Sequence, residues 1–312
     1  MMDWFLTLGG LIVLVLGAEG MVRGAVDLAL RARISPLVIG LTVVSIGTSA
    51  PELLVSLLAA MKGSSSIAIG NVVGSNIVNI SFILGVCVLI FPIEVDREAR
   101  RIHWPVMMAA SLLFWLFLRD DLFAAWEGVV FISLMLIYIV WLVWNSRRSE
   151  QHSTEEGNNG AQHPIWRALL LLVVGIVALT LGADWFVEGA VAISRGMGVS
   201  EQLIGVTVVA IGTSLPELVT SLIAAFRKQA DISLGNLVGS NIFNLLGIIG
   251  LSAVVLPIQV DHVAFFWDVM AMLGVGLLLY LLMRFGDKIG RWQGAVLMLA
   301  YLGYVVMVLQ RG

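Results

Sequence analysis

Charged residues, cysteine and histidine are all scarce in this sequence. Asp, Glu, Lys and Arg make up only 12% of the 312 residues, against about 25% in typical soluble domains. The single cysteine, Cys87, excludes an intrachain disulfide and a cysteine-bound metal cluster. The sequence also lacks an HExxH motif and a recognisable set of nucleophile and base, so an intramembrane enzyme is not expected.

Apolar residues dominate instead. They form 59% of the chain, and the mean hydropathy is +0.99, which is far more than one soluble core needs. Apolar runs near the length of about 20 residues that crosses a bilayer predict an all-α polytopic membrane protein with ten transmembrane helices. The predicted spans are residues 4–30, 36–61, 66–91, 103–118, 122–144, 165–194, 202–226, 232–256, 263–283 and 289–309.

Basic residues are segregated between alternate connections of these spans. Thirteen lie in the odd-numbered connections, and four lie in the even-numbered ones and the C-terminus. Because cytoplasmic loops are enriched in Lys and Arg, both termini are predicted to lie outside a multi-pass cell (inner) membrane. Membrane lipid is the expected surrounding, and no nucleic acid, cofactor or obligatory protein partner is indicated.

The sequence matches itself after a shift of 165 residues. From Val38 to Asn79, 25 of 42 positions are identical to those at 203–244. We therefore divide the chain into a first half (1–146), a cytoplasmic linker (147–164) and a second half (165–312). Each half holds five predicted spans, and an odd number of crossings inserts the second half upside down. Such inverted repeats are typical of transporters that bind their substrate near the membrane midplane.

A polar motif lies in the second predicted span of each half, as GTSAPELLVS (47–56) and GTSLPELVTS (212–221). Its proline lacks an N–H and clashes with the carbonyl four residues earlier. The backbone just before Glu52 and Glu217 is therefore predicted to be kinked or unwound, with unpaired carbonyls. Hydroxyl groups accompany these carbonyls at helical spacing, from Ser45, Thr48, Ser49 and Ser56 in the first copy and Ser214 and Ser221 in the second, with Thr213 beside them.

The third predicted spans repeat a second polar motif, GNVVGSNIVN (70–79) and GNLVGSNIFN (235–244). Its first asparagine, its serine and its last asparagine fall on one stripe of a helix. Those residues are Asn71, Ser75 and Asn79 in the first copy and Asn236, Ser240 and Asn244 in the second. The glycines of each copy have the GxxxG spacing of close helix packing.

All of these candidate ligands are oxygen donors, which argues against zinc, copper and iron and favours hard cations such as Ca2+, Na+ or K+. Ca2+ takes six to eight oxygens in a flexible geometry, and two glutamates would balance its charge. A carboxylate within a membrane costs at least about 2.5 kcal/mol, and a cation offsets this cost. The alternatives are a neutral glutamic acid bonded to its helix, and serine and threonine hydroxyls that bond back to their own helix.

The paired motifs resemble the two alpha-repeats of the cation/calcium exchanger superfamily, and most of all the prokaryotic sodium/calcium exchangers. The resemblance covers nearly the whole chain. It implies antiport of Ca2+ against Na+ by alternating access, with Glu52 and Glu217 binding Ca2+ and the first and sixth spans sliding across the rest. It also implies sodium sites around them, which map onto Ser45, Thr48, Ser49, Ser75, Ala210, Thr213, Ser214 and Ser240.

The sequence departs from that family at one ligand position. Well-studied exchangers have an asparagine in one repeat and an aspartate in the other, whereas this chain has Asn79 and Asn244. The site then has two carboxylates rather than three, which disfavours K+-coupled exchange. Ca2+/H+ exchange on the same glutamates is the alternative to Na+/Ca2+ exchange.

Two further charges lie within the first span. Glu19 and Arg23 are four residues apart, a spacing at which side chains pair along a helix. Their counterparts in the repeat are Asp184 and Glu188, which raises the alternative that Arg23 meets an acid of the sixth span.

Overall fold

The computed structural model describes residues 2–95, 97–153, 164–198, 210–284 and 288–311, and nearly all of them are helical. In the first half the α-helices are α1 (Met2–Ala32), α2 (Pro36–Ile39), α3 (Ser45–Thr48), α4 (Ala50–Met61), α5 (Ser65–Ile77), α6 (Leu84–Ile90), α7 (Trp104–Phe117) and α8 (Ala125–Ser153), the last of which continues into the predicted linker. In the second half they are α9 (Ile165–Gly196), α10 (Ala210–Thr213), α11 (Leu215–Phe226), α12 (Ala230–Phe243), α13 (Gly250–Val255), α14 (His262–Arg284) and α15 (Arg291–Arg311).

Shorter elements join these helices. Leu118–Asp120 is a 3₁₀ turn. π-Helical segments occupy Gly40–Val44, Val78–Ile83, Ala99–His103 and Asn244–Ile249. The strands are β1 (Ile93–Glu94), β2 (Leu122–Phe123), β3 (Ile258–Gln259) and β4 (Lys288–Ile289).

Among the described residues, eight helical stretches are long and apolar enough to cross a membrane. They are Met2–Ala32, Ser65–Ile90, Ala99–Asp120, Ala125–Arg148, Ile165–Gly196, Ala230–Val255, His262–Arg284 and Arg291–Arg311. These stretches coincide with eight of the predicted spans, all but the second and the seventh. Helices suit this environment because they satisfy every backbone N–H and C=O within the segment.

The second and seventh predicted spans contain the glutamate motifs. The second is a broken span, Pro36–Thr48 followed by Ala50–Met61, and counting it as one gives nine spans within the described ranges. The seventh begins at residue 202, outside the described residues, and its described part ends in the apolar helix Leu215–Phe226.

The chain forms two compact units, and each combines segments from both sequence halves. The first unit contains the residues up to Ala50 together with Val140–Asn236. Its largest packing interface joins α1 to α9. The backbones come close there, since a Cβ added at Gly17 would lie 2.9 Å from the backbone nitrogen of Leu179, and one at Gly175 would lie 2.8 Å from the carbonyl of Gly17.

The second unit contains Pro51–Ile139 and Leu237–Gly312. In it α6 packs on α15, and α5 packs on α14. Two short antiparallel ladders also belong to this unit: β1 pairs with β4, and β2 pairs with β3.

Both ladders join strands from different halves of the sequence. The 165-residue shift carries β1 onto β3, and carries β2 onto β4 to within one residue. The pairing of β1 with β4 therefore becomes, under the shift, the pairing of β3 with β2. The two ladders are therefore equivalent by the symmetry of the repeat, with the strands of the first and second halves interchanged.

Candidate functional site

The helix breaks next to the proline of each polar motif. In the first copy α3 ends at Thr48 and α4 begins at Ala50, and Ser49 between them has φ −83° and ψ 11°. In the second copy Ser214 interrupts the helix in the same way, with φ −93° and ψ 11°. This bridge region of backbone conformation is sparsely populated and recurs at functional sites. The predicted break is confirmed, but it is one residue long in each copy.

The prolines account for the break. Pro51 is the second residue of α4, and Pro216 occupies the same position in α11. Neither has an N–H to donate to the carbonyl four residues earlier, at Gly47 and Gly212. Carbonyls without a helical partner are tolerated at membrane depth only where protein buries them or a water-filled cavity receives them.

In the first unit a hydroxyl from one copy contacts the glutamate of the other. Ser49 Oγ donates to Glu217 Oε1 at 2.8 Å, and both residues are 0% exposed. Thr48 Oγ1 lies 3.0 Å from Asn236 Oδ1 and donates to it. Ser45 Oγ donates to the carbonyl of Leu41, one turn earlier, at 2.9 Å. This serine therefore bonds back to its own helix, as the alternative interpretation of these hydroxyls predicts.

The asparagine that opens the third-span motif holds the glutamate helix in the first unit. Asn236 Nδ2 donates to Ser221 Oγ at 3.0 Å and to the carbonyl of Glu217 at 3.5 Å. Its two amide ends are thus engaged by α11 and by Thr48. Asn236 therefore positions the helix that carries Glu217.

The second unit repeats that bonding with the other copy of the motif. Asn71 Nδ2 donates to Ser56 Oγ at 2.9 Å and to the carbonyl of Glu52 at 3.3 Å. Glu52 and Ser56 are both 0% exposed. The structure thus uses Asn71 as it uses Asn236, to fix a glutamate-bearing helix to its neighbour.

Four asparagines of the second unit form a closed network, which we call the asparagine quartet: Asn76, Asn79, Asn241 and Asn244. Asn76 Nδ2 and Asn241 Nδ2 each donate to the other residue's backbone carbonyl, at 3.2 and 3.1 Å. Asn79 Nδ2 donates to Asn241 Oδ1, and Asn244 Nδ2 donates to Asn76 Oδ1, both at 3.1 Å. The four side chains are at most 3% exposed.

Two amide oxygens of the quartet take no part in its hydrogen bonds. Asn79 Oδ1 and Asn244 Oδ1 are buried and have no hydrogen-bond partner among the described residues. Buried polar atoms are normally satisfied, and each exception calls for an explanation such as an ion. Because the NH₂ group of each amide is held on the opposite side, the bonding itself fixes which atom is the oxygen.

The helix geometry changes where these oxygens lie. The π-helical segment Val78–Ile83 begins one residue before Asn79, and the segment Asn244–Ile249 begins at Asn244. π-Helical turns within α-helices are frequent at functional sites. In each copy the last asparagine of the motif therefore lies where the helix widens.

The predicted ligands are divided between the units by chain segment. Ser45, Thr48, Ser49, Ala210, Thr213, Ser214 and Glu217 lie in the first unit, and Glu52, Ser75, Asn79, Ser240 and Asn244 lie in the second. Their side chains are buried, with Thr213 only partly so; of Ala210 the structure describes the backbone, at the start of α10. Within the described residues no three His, Cys, Asp or Glu side chains cluster.

Sequence reasoning missed Asn76 and Asn241 and was partly wrong about the glycines. The available signal was the identical triplet GSN in both copies, which contains these asparagines. A Cβ at Gly235 would lie 2.6 Å from the carbonyl of Leu37, as close packing requires, but one at Gly74 would meet no described atom within 4 Å.

Comparisons with known proteins agree with this arrangement. The family model "Sodium/calcium exchanger protein" matches residues 2–144 and 167–310. A putative antiporter, CaxA of Alkalimonas amylolytica, is 38% identical over 302 residues, covering 95% of each chain. The sodium/calcium exchanger MaX1 of Methanosarcina acetivorans is 31% identical over 343 residues, covering 98% of each.

Solved structures of a sodium-calcium exchanger also resemble this chain along nearly its whole length. The sodium-calcium exchanger NCX_Mj, soaked with zero Na+ and Ca2+, superposes with a TM-score of 0.84 at 34% identity, covering 98% of this chain and 99% of that one. The family match accounts for both halves of the sequence, and the structural match extends over nearly every residue. The chain is an integral membrane protein that belongs to the sodium/calcium exchanger family.

Proposed function

We propose that the chain is a secondary active antiporter that exchanges Ca2+ for Na+ across the membrane by alternating access. The observation that carries the proposal is the duplicated, fully buried glutamate motif with a helix break beside it. A charge at that depth is costly without a cation. Family relatives named sodium/calcium exchangers support the choice of ions.

The proposed ligands are all hard oxygen atoms. They are the carboxylates of Glu52 and Glu217, the amide oxygens of Asn79 and Asn244, the hydroxyls of Thr48, Ser49, Ser75, Thr213, Ser214, Ser240 and Ser45, and the backbone carbonyl of Ala210. Carboxylate and amide oxygens suit Ca2+, and neutral oxygens alone suffice for a monovalent ion such as Na+. Competition between the two ions for overlapping ligands would couple their transport.

The asparagine quartet supports a role for Asn79 and Asn244. An amide can present either its oxygen or its NH₂ group, and only the oxygen attracts a cation. Asn241 and Asn76 accept the NH₂ groups at 3.1 Å, so the oxygens are already oriented before an ion arrives. Preorganised ligands lose less conformational entropy on binding.

We also propose that the chain has ten spans in two inverted halves, 1–146 and 165–312, joined by the linker 147–164. The two strand ladders and the asparagine quartet support this proposal. In both, each contact between a residue of one repeat and a residue of the other recurs with the two repeats interchanged. The segregation of basic residues supports cytoplasmic odd-numbered connections and termini outside the cell.

The test is Ca2+ uptake by proteoliposomes that contain the purified chain and are loaded with Na+. We expect uptake to require internal Na+ and to be unaffected by a pH gradient. Uptake driven by the pH gradient instead would identify Ca2+/H+ exchange. Uptake without any ion on the other side would identify a channel.

Variants assign the binding residues. Glu52→Gln or Glu217→Gln keeps the size of the side chain but removes the charge, and each is expected to abolish Ca2+ uptake. Glu188→Gln is the matched control, since Glu188 is an exposed glutamate of α9 outside the motif. Retained uptake in both motif variants, with normal folding, would remove the proposed site.

A further inference from the structure

A cavity of about 240 Å³ lies in the first unit, and none of its lining residues belongs to the glutamate motifs. Three arginines line it, Arg23 of α1, Arg167 near the start of α9 and Arg227 just after α11, together with Asp27. Arg167 and Arg227 lie at helix ends, and the long side chain of Arg23 starts about two turns inside α1, so we expect the cavity to open toward the level of the lipid headgroups. Its charged lining is predominantly positive.

The positive charge is organised around one carboxylate. Glu19 binds Arg23 Nη2 at 2.6 Å and also pairs with Arg227, whose Nε donates to Glu19 Oε2 at 2.6 Å. Arg23 therefore pairs along its own helix, as one of the two sequence alternatives predicts. One carboxylate held by two guanidinium groups leaves a net positive charge, and each arginine has five N–H donors, more than Glu19 occupies.

Apart from Gln229, the remaining lining is apolar. Val22 and Val26 of α1 and Leu171 of α9 form this part of the wall. An inorganic anion gains nothing from contact with an apolar wall. A phospholipid, in contrast, can bind the arginines through its phosphate and pack its carbon chains against the valines and the leucine. The guanidinium fork matches phosphate oxygens in pairs.

We propose that this cavity binds the phosphate headgroup of an anionic phospholipid. Basic pockets between spanning helices on the cytoplasmic side recognise such headgroups, and the sequence predicts a cytoplasmic position for Arg167 and Arg227. The ligand contacts α1, α9 and the end of α11 at once. The bound lipid is therefore a structural partner of the α1–α9 pair.

Native mass spectrometry of the full-length chain tests the proposal, with phosphatidylglycerol and phosphatidylcholine as probes. We expect phosphatidylglycerol to bind more tightly than phosphatidylcholine, and Arg167→Gln to weaken it by about tenfold or more, because a charge-assisted contact is lost. Arg284→Gln is the matched control, an exposed arginine in the last turn of α14. It is expected to bind as the wild type does.

A variant with the opposite sign separates binding from misfolding. Asp27→Asn removes the negative charge of the cavity wall and is expected to tighten phosphatidylglycerol binding. Equal binding by Arg167→Gln and Arg284→Gln, or equal affinity for both lipids, would overturn the proposal. Displacement of the lipid by millimolar inorganic phosphate would assign the arginines to a free anion and would also overturn it.

Discussion

Asn76→Ala is the most direct test of how the asparagine quartet works. Asn76 Oδ1 accepts the Nδ2 group of Asn244 at 3.1 Å. Alanine removes this acceptor and also the Nδ2 group that donates to the carbonyl of Asn241, but it keeps the backbone carbonyl that accepts from Asn241. The substitution therefore frees the amide of Asn244 to turn its NH₂ group, rather than its oxygen, toward a cation.

The size of the effect on Ca2+ affinity is worked from the bond to Asn244, because that bond orients a ligand oxygen. Leaving a buried donor unsatisfied costs about 1–3 kcal/mol, which corresponds to about 5–150-fold in an equilibrium constant. We expect the Ca2+ concentration for half-maximal uptake to rise within that range in Na+-loaded proteoliposomes. Maximal uptake per folded protein is expected to change much less, since the glutamates are untouched.

A conservative variant separates orientation from general stability. Asn76→Asp lacks the Nδ2 donor just as alanine does, but it keeps an oxygen that can accept from Asn244, so it is expected to retain more Ca2+ affinity than Asn76→Ala. The repeat provides a second test, because Asn241→Ala removes the acceptor of Asn79 Nδ2 and is expected to act in the same direction. Unchanged Ca2+ affinity in both alanine variants would refute the idea that the quartet orients ligand oxygens.

Further predictions concern stability. Gly17→Ala is expected to lower the melting temperature, since its Cβ would lie 2.9 Å from a backbone nitrogen of α9 and overpacking costs about 1–3 kcal/mol. Gly9→Ala is the control, because its Cβ would meet nothing within 4 Å. Equal melting temperatures of the two variants would contradict the close contact at Gly17. The hydrogen bond and charge of Lys288 lower the pKa of the Glu94 carboxyl from its usual 4.5. The ion pair therefore stabilises the fold fully above pH 4.5, and this stabilisation is lost as the pH falls through the lowered pKa of the folded state. Lys288→Ala is therefore expected to reduce the melting temperature slightly at pH 7 and not in strong acid, and a difference that persists in strong acid would exclude this pair as its source.

Much of the fold could be predicted from the sequence because its signals are local. Apolar run length alone located eight of the spanning stretches. The proline in each glutamate motif likewise predicted the break at Ser49 and Ser214, since proline lacks the N–H that a continuous helix needs.

The parts that could not be predicted depend on contacts between distant segments. The bond from Ser49 to Glu217 joins residues 168 positions apart, and Asn76 appears in sequence as one more polar residue beside Ser75. The second partner of Glu19 is Arg227, 208 positions away. A helical stripe shows which residues share a face, but it does not show which residue of another helix that face will meet.

The composition of the two compact units has a consequence for biosynthesis. Each unit combines a segment encoded early with one encoded late, and each strand ladder needs one strand from either half. When the ribosome has finished the first half, β1 has no β4, and Asn76 has no Asn241. Neither unit can reach its final structure at that stage, so the helices of the first half must wait in the bilayer without their partners from the second. We therefore expect insertion and folding to be separate events in this chain, with the second half acting as the template on which the first half completes its fold.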